Sequence, residues 1–62
     1  MISLKTARKL SGMTQAELAA KVGTTQVSIC QYEKGARMPK FEMARRIAGV
    51  LNVPLAEIDF ER

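Results

Sequence analysis

Histidine is missing from this chain altogether, and cysteine occurs once, as Cys30. A lone thiol closes no internal disulfide, and without histidine a structural zinc site of the Cys/His kind has no ligand set. One unpaired thiol suits a reducing compartment, so the expected location is cytoplasmic. Long hydrophobic runs are also missing. Nothing approaches the ~20 apolar residues of a membrane span, and the opening Met-Ile-Ser-Leu-Lys does not read as a signal peptide. Aromatics are few, with one tyrosine and two phenylalanines. The tyrosine reads as core, which leaves no stacking platform for single-stranded RNA. Catalytic groups are equally scarce: there is no carboxylate pair set for a cleft and no glycine-rich phosphate loop. The expectation is a protein that is not an enzyme, with no catalytic residue, metal, cofactor or small-molecule ligand.

What the chain does have is positive charge, unevenly placed. The 62 residues carry a net charge of +4. Residues 1–46 hold nine Lys/Arg against Glu17, Glu33 and Glu42, a balance of +6. Residues 47–62 hold Arg62 against Glu57, Asp59 and Glu61, a balance of −2. A basic body with an acidic tail suits a polyanion on one side and a different contact on the other. The length allows a single domain, residues 1–62, which buries only ~60% of its unfolded surface.

Apolar spacing predicts helices throughout. Leu4, Ala7 and Leu10 form the first series, which Gly12 ends. Thr14 stands three residues before Glu17, a capping box opening a second helix with Leu18, Ala19 and Val22 on its apolar face. Gly23 follows where a helix leaves through the left-handed region. Thr24 or Thr25 caps a third helix running to about Lys34, and Gly35 stops it. After a loop containing Pro39, a fourth helix carries Phe41, Ala44, Ile47, Ala48 and Leu51 on one side. Asn52 stops it, and Pro54 opens a short fifth helix that buries Leu55 and Ile58. No stretch alternates long enough to predict a strand. The expected fold is all-α, a compact domain of five short helices with the helix-turn-helix at about 14–34.

Two helices joined by three or four residues around a glycine cross steeply. That crossing needs a small side chain where the backbones meet, and Ala19 stands four residues before Gly23. The outward face of the third helix is Thr25, Gln26, Val27, Cys30, Gln31 and Lys34. An ordinary solvent face would be rich in charge; this one is mostly neutral. Glutamine offers adenine's major-groove edge a donor and an acceptor together, and valine packs on a thymine methyl. Thr25, Gln26, Val27 and Gln31 are therefore the expected base-reading residues.

The stretch TQAELAAKVGTTQVSICQYEKG resembles the helix-turn-helix of the lambda-repressor-like (XRE) family, which includes phage repressors and Cro proteins. The resemblance also takes in Arg8, the Ser28–Gly35 run, the Pro39 loop and the closing Leu-Asn-Val-Pro-Leu. It implies five helices, with the third in the major groove. It implies base contacts by Gln26 and Gln31, with Val27 departing from the polar residue of some relatives. It further implies phosphate contacts by Gln15, at a helix start, and by Lys34, Arg37 and Lys40 beside the backbone, with Thr24 in the turn between the helices. Arg8 and Glu33 are expected to pair, tying the first helix to the third, unless they are two separate solvated charges.

The function this implies is sequence-specific binding of double-stranded DNA by a transcriptional regulator of the repressor type. One recognition helix covers few base pairs, so a symmetric homodimer on two half-sites is expected. It is expected to be weak and formed mainly on DNA, through the acidic, apolar end that carries Val53, Leu55, Ile58 and Phe60. Phe60 alternatively closes the core, beside Phe41. Cys30 reads as a small neutral residue on the DNA face, or as a thiol whose oxidation would obstruct docking. The alternative in another class is an antitoxin-like or phage-encoded module whose main partner is a protein.

Overall fold

Side-chain caps start the first three helices of this chain, and left-handed residues end the second, third and fourth. The computed structural model describes residues 1–60. Helix α1 spans Leu4–Leu10, and the Ser3 hydroxyl caps it by accepting from the Thr6 N–H. Helix α2 spans Gln15–Val22, helix α3 Gln26–Lys34 and helix α4 Phe41–Leu51. Thr25, not Thr24, caps α3. Asn52 ends α4 at φ 58°, the left-handed region that asparagine tolerates better than most side chains.

The start of α2 is the predicted capping box. Thr14 N–H donates to Glu17 Oε1 at 2.8 Å, and Glu17 N–H donates to Thr14 Oγ1 at 3.1 Å. The bond from the Thr14 backbone, then the Thr14 side chain, then the nearby Lys21 charge hold the Glu17 carboxyl below its ordinary value of 4.5. Because the folded value is the lower one, this support is complete above about pH 4.5 and fades as pH falls through the folded value. Glu17→Gln retains an acceptor but does not titrate. Its thermal midpoint is expected to fall less steeply with acid than that of the parent as pH drops below about 4.5. Parallel acid slopes for the two proteins would refute that role.

The largest fully buried side chains come one from each helix: Leu4, Leu18, Ile29 and Ile47. Ala7, Ala19, Val22, Tyr32, Ala48, Leu51 and Ile58 complete it. The sequence pattern misplaces two residues. Leu10 is 78% exposed, since six residues of helix carry it about 240° round from Leu4. Phe41 is 71% exposed at the first residue of α4, where the core face starts only with Ala44. The Arg45 guanidinium covers its ring instead, 5.9 Å from the centroid.

The expected fifth helix is not there. Pro54 is extended, with ψ at 138°, and the chain makes one 3-10 turn, Leu55–Glu57. It then straightens into strand β2, Ile58–Asp59, which pairs in parallel with strand β1, Ile2–Ser3. Ile2 lies opposite Ile58. The described residues thus hold four α-helices and a two-residue parallel pair. Pairing across the chain satisfies backbone groups that an isolated helical turn would leave to water. No helix among the described residues is long and apolar enough to cross a membrane. No group of three or more His, Cys, Asp or Glu side chains there could hold a metal ion.

Candidate nucleic-acid interface

Between α2 and α3 the chain turns at Gly23, whose φ of 82° is left-handed. The N–H groups of Gly23 and Thr24 both donate to the Ala19 carbonyl, at 3.0 and 2.9 Å. Ala19 is buried at 3% exposure, so the methyl side chain is what the close approach tolerates. This turn sets α3 across α2, with Ser28, Ile29 and Tyr32 inward.

The opposite face of α3 carries the expected reading residues. Gln26 and Lys34 are exposed, Val27 is 65% exposed, and Cys30 and Gln31 are half-buried. Thr25 is more constrained than the sequence suggests. Its hydroxyl accepts from the Ser28 N–H and donates to Ser28 Oγ, both at 3.1 Å. That hydroxyl is spent on the helix cap.

A chain of polar contacts connects this face to the interior. Arg8 is 8% exposed inside α1, and its Nε donates to Glu33 Oε2 at 2.6 Å. Its Nη1 donates to the Met13 carbonyl at 2.7 Å. The two charges left open by the sequence are therefore a pair, with side chains only 9% and 4% exposed. Glu33 Oε1 accepts from Gln15 Nε2 at 2.9 Å, and Gln15 Oε1 lies 3.5 Å from Gln26 Nε2. Three helices thus meet at one carboxylate, and Gln15 passes its hold to the first residue of α3.

A second arrangement was not foreseen from the sequence. Arg37 folds back on α3, where its Nη1 donates to Ser28 Oγ at 3.2 Å and to Gln31 Oε1 at 3.3 Å. Its Cζ stands 5.5 Å from the centre of the Tyr32 ring. Ser28 and Tyr32 gave no polar signal in the pattern beyond their places on the inner face. Lys40 is exposed at the N-terminus of α4, which has no side-chain cap. The first-turn N–H groups there remain open to water or an anion.

The family described as helix-turn-helix matches residues 4–58. The chain belongs to that family. Its helix-turn-helix is α2, the Gly23 turn and α3. Among its relatives, an uncharacterized HTH-type transcriptional regulator of Methanothermobacter thermautotrophicus is 48% identical over 44 residues, 71% of this chain and 64% of the relative. One of Archaeoglobus fulgidus is 43% identical over 47 residues, 76% of this chain and 67% of the relative. The uncharacterized HTH-type transcriptional regulator YqaE of Bacillus subtilis is 36% identical over 53 residues, 86% of this chain but 46% of that protein. The match therefore spans about two thirds or less of these relatives. No solved structure matches the chain.

The expected self-association surface needs one correction. Ile58 is 4% exposed and belongs to the chain's own core, opposite Ile2 in the strand pair. Its burial is expected, but on a short helix; the strand pair buries it instead. Val53, Leu55 and Phe60 are half-buried against the same core, each with part of its surface outside.

Proposed function

We propose that this helix-turn-helix protein binds double-stranded DNA sequence-specifically and regulates transcription as a repressor. The observation that carries this is the neutral, outward face of α3 held by a polar chain running from a buried ion pair. Helix α3 enters the major groove with Gln26, Val27 and Gln31 toward the bases. Thr25 contributes only contacts that its cap allows. Gln15, Thr24, Lys34 and Lys40 face phosphates, which supply affinity and register without naming a sequence. A weak homodimer, assembled on two half-sites, brings two copies of α3 to successive turns of the groove. Its contact lies at the end bearing Val53, Leu55 and Phe60.

Selection of sites from a random duplex pool, followed by affinity measurement on the selected site, tests this directly. Gln26→Ala is expected to lose ~1–3 kcal/mol on the preferred site and to relax discrimination at one base pair. Lys40→Ala, in contrast, is expected to weaken all duplexes alike and to lower the salt slope by about one unit. Equal weakening of selected and random DNA by Gln26→Ala would refute base reading by that residue. A chain that failed to shift any duplex at low salt would point instead to a protein partner.

A further inference from the structure

We infer that Arg37 determines which base Gln31 reads, by holding the glutamine's carbonyl oxygen so that Gln31 presents N–H donors to the groove. The inference rests on the proposal that Gln31 contacts a base, and goes beyond it in naming the base class and the residue that imposes it.

The Arg37 guanidinium is restrained on three sides. Its Nη1 reaches the Ser28 hydroxyl, itself buried, and the Gln31 oxygen, at 3.2 and 3.3 Å. Its plane stands 5.5 Å above the Tyr32 ring centre, the range in which a cation is attracted to an aromatic face. The backbone is returned to the same place, because the N–H groups of Ala36 and Arg37 both donate to the Gln31 carbonyl, at 2.9 and 3.3 Å. Gly35 makes that return possible with a φ of 74°. Arg37 is therefore bound to the residue it orients through both backbone and side chain.

Chemistry then fixes the direction of the amide. A guanidinium has donors and no acceptor, so only the oxygen end of Gln31 can face it. Arginine stays charged at any ordinary pH, so this preference does not switch. The Gln31 Nε2 group makes no hydrogen bond among the described residues and retains both its N–H donors. Adenine's groove edge pairs an acceptor, N7, with a donor, the N6 amino group, and needs a glutamine that offers both of its ends. Guanine shows two acceptors, N7 and O6, and thymine shows O4. The Gln31 oxygen keeps a second lone pair, but the positive charge beside it repels an amino group. Gln31 thus selects guanine, whose two adjacent acceptors match its two donors, whereas Gln26, bound by no cation, gives one N–H to Gln15 and keeps its oxygen and its other N–H for adenine.

The test uses the whole chain and the site selected by the parent protein. Gln31→Ala first identifies the base pair at which preference disappears. At that pair the parent is expected to prefer G·C over A·T in either orientation. Arg37→Met keeps an apolar stem on Tyr32 but removes the donors, and is expected to shift the ratio toward adenine by roughly tenfold. Arg37→Lys keeps the charge, and with it random-duplex affinity, but cannot make both contacts in that geometry; it is expected to relax the same ratio. In the double variant, loss of Gln31 abolishes the effect of Arg37 on the ratio. A parent preference for A·T at that pair, in either orientation, would overturn the inference. So would Arg37 variants that weaken all duplexes equally and reduce the salt slope, which is the behaviour of a phosphate contact. If Gln31→Ala leaves every base ratio unchanged, base reading by Gln31 fails, and the inference goes with it.

Discussion

Glu33→Gln is expected to destabilise the folded chain by ~3–5 kcal/mol, because it leaves the Arg8 charge buried without its partner. The pair is enclosed, with side-chain exposures of 9% and 4%, so water cannot take the place of the lost carboxylate. The carboxylate also accepts from Gln15. An amide at position 33 has one acceptor oxygen to share between a guanidinium and another amide. At roughly 0.05–0.15 kcal/mol per residue, a chain of this length has about 3–9 kcal/mol in total. The substitution therefore removes a large part of the whole. The check is thermal and urea unfolding of parent and variant. A small domain moves by roughly 4–8 °C per kcal/mol, so the midpoint drop is expected to exceed about 10 °C. An unchanged midpoint would mean that the pair is replaceable by its surroundings. Replacing both partners with well-packed apolar residues is a different experiment and need not destabilise, since burying the two charges is itself costly.

Ile29→Ala is the second large effect, at ~2–5 kcal/mol. Ile29 is fully buried in the middle of α3, and truncation opens a cavity directly behind the outward face. Val27 lies two residues away and is 65% exposed. Val27→Ala is expected to change stability by less than about 0.5 kcal/mol. The two substitutions separate packing from recognition on a single helix. The Ile29 variant should lose helicity by circular dichroism near room temperature and regain it when the selected duplex is added. Binding at a hundredfold excess over the dissociation constant supplies ~2.7 kcal/mol to the folded state. The Val27 variant should remain folded throughout and differ, if at all, in its preference at one base pair. A cost below about 1 kcal/mol for Ile29→Ala would contradict the central place given to that side chain.

Signals confined to a few neighbouring residues proved legible in the sequence. The Thr14–Glu17 box, the left-handed turns at Gly23 and Asn52, and the buried face of α4 from Ala44 onward depend on local backbone rules. The buried pair of Arg8 and Glu33 was suggested by family resemblance, since no spacing rule joins residues so far apart. What escaped was set by tertiary contact. A two-residue strand has no alternation to detect, and its partner lies at the far end of the chain. Ile58 therefore read as buried on a terminal helix, whereas a strand buries it. Leu10 and Phe41 extend apolar series past the point where another helix is present to cover them. In the candidate interface, the exposure of Gln26 and Val27 followed from helix periodicity. The capture of the Thr25 hydroxyl by Ser28, and of the Gln31 oxygen by Arg37, depends on side-chain geometry that spacing does not carry.

The parallel pair of Ile2–Ser3 with Ile58–Asp59 has a further consequence, for the order in which the molecule assembles. Helices α2 and α3 are neighbours along the chain, and their contact closes a short loop at little entropic cost. The strand pair joins opposite ends, and its loop is the costliest in the structure. Contacts of that kind form late and open first. The outer amides of this pair should therefore exchange with solvent before those of α3. Fraying of the ends can then proceed while the α2–α3 unit is still intact.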